Sequence, residues 1–595
     1  MSTTITAITD VAEAHVIPTV SIAALTFSGG DEIELAASDK VLIVGSNNSG
    51  KSRSIREIIA HCELTPGPQY AVVRQVVLEK RGSLEDFYSF IERNGKLIPG
   101  SDLYRIRDWQ VNRWSVSEWG NAMLGGGIAG GFIKNIDASS RLAICNLQDS
   151  IAVDEPATCP QHVLYADDRL MDQVSELFKQ AFGQELVLNI RGGRKIQIHV
   201  GSKPSGAAFA DTGTEAYAKA VSALPALHEQ GDGIRSFAGI LFHTIASSRS
   251  ITFIDEPEAF LHPPQMRKLG EILATSVSGQ LLAATHSSDI LRGFLEGGKG
   301  KVRILRISRQ GSVNHVYEAS PEAIKSLYST PALRYSAALE AIFHEQAIIC
   351  EDDSDCRLLN SMADHLESVS GKSWPDTAYV PTGGKSGIAR VASALRAVGV
   401  RVKAVYDFDL VSDQGELKRA VAAFGGQWEA ISVHWERINA AVRSISPPSN
   451  AMIKASIIQI LNNSDDQTLP KNEVIEAFRQ KSRWSSIKTY GHGGLPRCEI
   501  RRDADTMLAL LSEIGIYLIP SGEAESFCPS IGGHGPSFVR KVLSDISADD
   551  SRLQGLRDFT QKVHLGPAAA VKTAGTLAER QERMQQDGAA DSGVK

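Results

Sequence analysis

Four apolar residues, Val41 to Val44, run straight into Gly45-Ser46-Asn47-Asn48-Ser49-Gly50-Lys51-Ser52, and an amphipathic stretch follows. The segment fits the phosphate-loop pattern G-x-x-x-x-G-K-S/T in its required setting, a strand before and a helix after. Gly45 and Gly50 permit the tight backbone, and the amides of Asn47, Asn48 and Ser49 can cradle phosphate oxygens. Lys51 then reaches the β- and γ-phosphates, and Ser52 places its hydroxyl on Mg²⁺. Ile55, Ile58, Ile59 and Cys62 recur at i, i+3, i+4 and i+7, the spacing of a buried helix face. The loop implies ATP or GTP but not what the nucleotide is used for.

At 595 residues the chain exceeds what one hydrophobic core supports, so two or three domains are expected. Residues from about Val16 to about Ser329 read as one α/β unit. In it VLIVG, ITFIDE and QLLAATH alternate with helical stretches, as in a sheet covered on both faces. ITFIDEPEAFLHPP ends an apolar strand in Asp255-Glu256. Asp255 can hold Mg²⁺ through water, and Glu256 can orient and deprotonate the attacking water. LLAATHSSDI places His286 just past another strand, in reach of a γ-phosphate. QGDGIRSFAGIL puts Gly231, Gly233 and Arg235 at a helix start, a second anion-binding N-terminus. Arg105, Arg107 and Arg113 interleave with Trp109, Trp114 and Trp119. Such a mix can stack on nucleic acid, but an insertion packing its tryptophans on the sheet is the favoured reading.

A β-like run from Gln346 to Cys350 opens another domain and ends in Glu351, with Asp352, Asp353 and Asp355 close behind. VKAVYDFDL ends in Asp407-Phe408-Asp409, and IGIYLIPSGEAESF carries Glu523 and Glu525 past a third strand. Strand ends loaded with carboxylates repel unless a cation lies between them, and a hard divalent ion with oxygen ligands is the natural partner. Alternate residues of an extended chain point the same way, so Asp407 and Asp409 are expected to face one site. Asp352 and Asp353 by themselves read as helix-starting acids. From about 411 to 510 the chain is a polar, helical insertion. Its Lys481, Arg483, Lys488, Arg497, Arg501 and Arg502, beside Trp484 and Tyr490, form either a phosphate-neutralising patch or a solvated face. The expected domains are residues 1–335 and 336–565, with 566–595 a disordered tail.

The net charge of −7 gives no global attraction to nucleic acid, so any such contact needs a local basic face. Seven cysteines without a C-x-x-C pair exclude a zinc ribbon and a secreted disulfide framework. The N-terminus lacks a secretory signal pattern, and no run approaches the ~18 apolar residues of a membrane span. A cytoplasmic protein without a membrane partner is expected.

The order of phosphate loop, GDGIRSFAGIL, IDEPEAFLHP and ATHSSDIL resembles the ABC-type ATPases, in particular the DNA-repair and phage-defence branch without transport domains. That resemblance implies a head-to-head homodimer in which Gly231, Gly233 and Arg235 complete the ATP site of the opposing copy. The segment departs from the usual L-S-G-G-Q. No sustained heptads separate Lys51 from Asp255, so a long coiled-coil ATPase is not expected.

CEDDSD resembles the E-G-x-x-D pattern of a Toprim domain at Glu351 and Asp355, YDFD resembles its D-x-D, and PTGGKSGIARVASAL its GGK segment. Asp352 stands where that family has glycine. SGEAESF is similar to a late acidic stretch, adding Glu523 and Glu525 as metal ligands. The expected fold class is therefore α/β, an ABC-type P-loop ATPase domain plus a C-terminal Toprim domain with a helical insertion. The combination resembles the overcoming-lysogenization-defect (OLD) family, which includes the ATPase-nuclease subunit of Gabija and retron-associated effectors. It implies ATP-regulated cleavage of DNA in phage defence with Mg²⁺ or Mn²⁺. Glu256, Glu351, Asp407 and Asp409 would be catalytic together with a late lysine, Lys541 rather than Lys562. The sequence leaves open transfer RNA as the substrate, and a sensor or assembly switch with an inactive Toprim domain. It also leaves open a higher homo-oligomer, and a second defence protein or a reverse transcriptase–RNA complex as partner.

Overall fold

The computed structural model describes all residues except 1–15, 64–69, 153–154, 330–336, 445–448, 465–469, 471–473, 475–476, 478–483, 497, 533–534 and 570–595. The described residues form two compact units that divide between Tyr317 and Glu318, ahead of the 335/336 border expected from the sequence. Helix Pro321–Ser329 packs on Lys385–Ala397, which is why it belongs with the second unit.

The first unit is built on a six-stranded sheet. Its strands are β1 (Lys40–Val44), β2 (Ile133–Ile136), β3 (Ile251–Asp255), β4 (Gln280–Ala284), β5 (Arg303–Gln310) and β6 (Val313–Glu318). In space they run β6-β5-β1-β4-β3-β2, and the β5/β1, β1/β4, β4/β3 and β3/β2 pairs are parallel. Val41, Leu42, Ile43 and Val44 are all buried, as a central parallel strand requires. Helix α1 (Lys51–Glu63) buries Ile55, Ile58 and Cys62, the face its spacing predicts. A separate antiparallel sheet of Thr19–Phe27, Glu32–Glu34 and Val73–Arg81 shares the core formed by Val41, Ile43, Ile55 and Ile58. Trp109 and Trp119 are buried with Phe87 and Phe132, the Phe87 and Trp119 rings stacking at 4.4 Å, while Trp114 is exposed. The packing reading thus applies to two of the three tryptophans.

The glycine-rich segment forms helix α2 (Asp232–Leu241), which runs on as a π turn over Phe242–Ala246. Gly239 lets α2 lie against helix Ala138–Ala143: a Cβ there would sit 1.9 Å from the carbonyl oxygen of Arg141.

The second unit has a four-stranded, fully parallel sheet. Its strands are β7 (Gln346–Cys350), β8 (Thr377–Pro381), β9 (Arg401–Tyr406) and β10 (Ile516–Leu518), in the order β8-β7-β9-β10. Parallel neighbours need crossovers. Helix α3 (Asp353–Ser370) joins β7 to β8, and α4 (Lys385–Ala397) joins β8 to β9. Between β9 and β10 lies the helical insertion, including α5 (Trp428–Arg443), α6 (Ser485–Tyr490) and α7 (Cys498–Glu513). Helices α8 (Pro536–Asp545) and α9 (Gln554–Leu565) follow.

Lys481, Arg483 and Arg497 of the basic patch lie outside the described residues, as does 570–595 of the expected tail. Residues 566–569 are ordered, contrary to expectation, because the Ala569 N–H donates to Val402 O at 3.0 Å and its side chain is buried. Cys62, Cys145, Cys159, Cys350, Cys356 and Cys528 are free and buried. Among the described residues no helix is long and apolar enough to cross a membrane.

Candidate nucleotide site and carboxylate cluster

Strand β1 delivers the chain to Gly45 and α1 starts at Lys51, so the phosphate-loop residues form the turn between them. Gly45, Asn48 and Gly50 take φ of 145°, 59° and 101°. Such a backbone aims successive amides into one concavity. Lys51 Nζ folds over the loop onto the carbonyls of Gly45 and Ser46, at 2.8 and 2.9 Å, and burial lowers its pKa. Ser52 Oγ donates to Asp255 Oδ1 at 2.9 Å, so the start of α1 meets the end of β3. Burial raises the Asp255 pKa. A cleft of about 570 Å³ opens over these groups, lined by the loop, Glu256, His286, and Arg309, Ser312 and Asn314 of the β5–β6 hairpin.

Glu256 has φ of 49°, a left-handed backbone uncommon outside glycine. Three hydrogen bonds hold it there. Its N–H donates to Ala284 O at 2.9 Å, and its carbonyl accepts from Arg141 Nη2 at 2.9 Å and from the Ala259 N–H at 3.1 Å. Glu258, buried two residues on, accepts from Thr285 Oγ1 at 2.8 Å through Oε2 and from the His286 N–H at 2.8 Å through Oε1. The same Oε1 lies 3.0 Å from His286 Nδ1. Sequence reasoning missed Arg141, Glu258 and Asn314, whose Nδ2 donates to Ser49 O at 2.5 Å. Glu258 had a visible signal as the second acid of IDEPE, whereas the other two are distant in sequence and sit in no motif. Gly231, Gly233 and Arg235 do not line this cleft. Arg235 Nη2 donates to Leu142 O and to Asn146 Oδ1, at 3.0 and 3.1 Å.

In the second unit the acids stand past the C-terminal ends of β7, β9 and β10. The Asp407 N–H donates to Glu351 Oε1 at 3.3 Å. The Phe408 N–H donates to Gly522 O at 2.9 Å, tying the end of β9 to the segment that carries Glu523. The extended D-x-D expectation needs correction: the chain leaves its extended path after Asp407, and Asp409 lies in the 3-10 turn Phe408–Ser412. The two acids meet the site through a turn, not through strand alternation.

Asp352 caps α3 from an extended backbone, φ −138°, and accepts from the Ser354 and Asp355 N–H groups. No unusual turn exists at this position for a glycine to relieve. Asp353 pairs with Arg357 at 2.7 Å, as a helix-starting acid can. Glu525 Oε1 accepts from the Gly535 N–H at 2.6 Å, at the start of α8.

The electrostatics are those of crowded acids. Burial pushes the Asp407 carboxyl up to about 9, with Glu351, Asp355, Glu523 and Asp409 adding repulsion. Burial, then Asp352, Glu351 and Glu525, pushes Asp355 up to about 7, and burial also raises Glu351. Among the described residues no three such side chains close on one point as a ready cation cage. Two lysines stand between them. Lys385 Nζ is 3.3 Å from Asp409 Oδ1, and Lys488 Nζ is 3.2 Å from Glu523 Oε1 and 3.7 Å from Asp409 Oδ2. Burial works against the Lys488 charge, but Glu523 and Asp409 outweigh it and raise its pKa. Lys541 is exposed on α8 and has no ion pair with these acids among the described residues, so the lysines at the cluster are Lys385 and Lys488.

A phosphate loop, a neighbouring strand end whose carboxylate holds the loop serine, and a histidine beyond the strand between them define a P-loop ATPase domain. Residues 222–292, which contain α2, Asp255 to Glu258 and His286, match the family described as "AAA domain, putative AbiEii toxin, Type IV TA system". The chain is 21% identical over 289 residues to the Old nuclease of Escherichia phage P2, a match covering 47% of this chain and 43% of that protein. The chain therefore spans less than half the length of that relative. Among solved structures, the Smc head bound to the C-winged helix domain of ScpA is 12% identical, with a TM-score of 0.32 over 50% of this chain and 97% of that one. The SMC head domain from Thermotoga maritima is 13% identical, with a TM-score of 0.28 over 50% and 99%. At these TM-scores the likeness adds nothing to the topology described above.

Proposed function

We propose that the chain is an ATP-regulated, divalent-metal-dependent nuclease that cuts DNA, with the second unit acting as a Toprim-type catalytic domain. The observation that carries this reading is the gathering of Glu351, Asp407 and Glu523 past adjacent parallel strands, with Asp407 buried among like charges. An all-oxygen donor set with such an excess of negative charge suits a hard cation. Glu351, Asp407, Asp409, Asp355, Glu523 and Glu525 would hold it. A divalent ion bound there would polarise a phosphodiester and lower the pKa of an attacking water. Lys385 and Lys488, paired with Asp409 and Glu523, can orient a substrate phosphate.

In the first unit, Lys51 binds the nucleotide phosphates, Ser52 and Asp255 hold Mg²⁺, and Glu256 positions and deprotonates water. Gly231, Gly233 and Arg235 lie outside the chain's own cleft, which supports a role in the cleft of a second copy. The name of the phage P2 relative supports the nuclease reading, and the resemblance to the OLD family carries the assignment to phage defence.

The test is cleavage of plasmid DNA and of a structured RNA in Mg²⁺ or Mn²⁺, with and without ATP. Wild type is compared with Asp407→Ala and Lys51→Ala. DNA cleavage abolished by Asp407→Ala supports the reading, and the Lys51→Ala lane shows whether ATP restrains or licenses cutting. Cleavage of RNA alone would reassign the substrate. Cleavage that survives Asp407→Ala would sink the proposed site.

A further inference from the structure

His286 faces the nucleotide cleft, but its orientation is set from behind by a residue that does not line the cleft. Glu258 is buried, and both of its oxygens are engaged by the segment that carries the histidine: Oε2 by the Thr285 hydroxyl, Oε1 by the His286 N–H at 2.8 Å and by Nδ1 at 3.0 Å. The carboxylate thus clamps the backbone and the ring of one residue together. Nε2 is the remaining ring nitrogen, and the ring is half-exposed on the cleft side.

We propose that Glu258 is the positioning residue of the ATPase site, anchoring His286 through Nδ1 so that Nε2–H points at the terminal phosphate. A proton held between Oε1 and Nδ1 leaves Nε2 as the nitrogen whose N–H donates to the phosphate. Burial raises the Glu258 pKa, which favours a proton on that contact. The other charged groups around the cleft are Lys51, Arg53 and Arg56 of α1, Glu256 after β3, and Arg309 of β5. Asp289, one turn along the histidine's own helix, is engaged by Arg267 at 2.7 Å. None of these has the ring contact that Glu258 has.

The inference rests on the ATPase reading of this cleft, and the experiment separates the two. ATP hydrolysis by the full chain is measured over a range of Mg·ATP concentrations for wild type, Lys51→Ala, Glu258→Gln, His286→Ala, Glu258→Gln/His286→Ala and Thr285→Val. Thermal midpoints are recorded alongside. Lys51→Ala should abolish turnover; turnover that persists overturns the site and the inference together. Glu258→Gln should lower kcat roughly tenfold or more. KM for ATP should change by less than about twofold, because Glu258 does not line the cleft. The double variant should be no slower than His286→Ala. Thr285→Val removes the other partner of Glu258 and should lower the midpoint while costing kcat less than Glu258→Gln does. A Glu258→Gln kcat equal to that of wild type, losses that multiply in the double variant, or an equal kcat loss in Thr285→Val each overturns the proposal.

Discussion

The backbone N–H of Asp407 reaches Glu351 Oε1 at 3.3 Å, so the ends of two neighbouring parallel strands present their acids to each other. Burial and the surrounding carboxylates hold Asp407 up to about 9, far above an ordinary aspartate. The folded chain therefore keeps a proton that the unfolded chain releases between about 4 and about 9, and stability falls as pH rises through that window. In EDTA the thermal midpoint of wild type, taken relative to Asp407→Asn, should fall from about pH 5 to about pH 8. Mn²⁺ should raise the midpoint of wild type and not that of the variant, since a ligand that binds only the folded state stabilises it. Scanning fluorimetry across pH checks both, and equal Mn²⁺ shifts in the two proteins would count against a cation site here.

Gly491 follows the helix of Lys488 with φ of 53°, and a Cβ there would lie 2.1 Å from Pro520 O and 2.5 Å from Gly522 N. The His492 N–H donates to Pro520 O at 2.9 Å beside it. The insertion is thereby seated on the segment leading to Glu523, which puts Lys488 over the acids. Gly491→Ala should unseat it at a cost of about 1–3 kcal/mol, from the steric clash and the left-handed backbone. On the proposed function it should reproduce the cleavage defect of Lys488→Ala. Full cleavage by Gly491→Ala together with a defect in Lys488→Ala would break the link.

Much of the nucleotide site was legible because its residues come in short motifs whose geometry is local: a strand, a glycine turn and a helix start fix Lys51 and Ser52 together. The carboxylates were legible as strand-end residues for the same reason. What surrounds them was not. Arg141 reaches Glu256, and Asn314 reaches Ser49, only through sheet order, which no local pattern encodes. The D-x-D geometry was misjudged because strand alternation was carried one residue past the point where the chain turns into 3-10. Lys488 was read as one charge among six, since the tight seat at Gly491 that aims it appears only once β10 is paired to β9.

Lys403 is buried within β9, with Nζ donating to His564 O at 2.5 Å at the end of α9. Burial lowers its pKa to about 7, and burial lowers His564, whose Nε2 lies 2.6 Å from the Tyr379 hydroxyl, to about 4. Both folded forms release a proton that the unfolded chain still binds, so stability rises with pH from about 4 to about 6.5 for His564 and from about 7 to about 10.5 for Lys403. Lys403→Met should flatten the second rise and leave the first. Urea midpoints at about pH 7 and about pH 9.5 test this, and the difference between the two proteins isolates Lys403 from the buried tyrosines. Parallel curves would refute it.

Arg141 is fully buried, and Nη2 donates to the carbonyl of Glu256, the residue held at φ 49°. Its Nε and Nη1 have no hydrogen-bond partner among the described residues. Burial lowers its pKa, opposed by Glu258, Asp137, Glu256 and Asp255. A buried guanidinium is tolerated because those carboxylates partly offset its desolvation, and removing it leaves the Glu256 carbonyl with the Ala259 N–H at 3.1 Å but without its side-chain donor. Arg141→Met, which keeps much of the volume, should cost about 1–3 kcal/mol of stability. ATP turnover should fall through misplacement of Glu256, while ATP affinity changes by less than about twofold, because Arg141 does not line the cleft. Arg141→Lys, restoring the charge with a single donor head, should recover part of the turnover. Titration with a fluorescent ATP analogue beside steady-state hydrolysis separates the two effects. Parallel loss of binding and turnover would place Arg141 in the scaffold of the phosphate loop rather than behind Glu256.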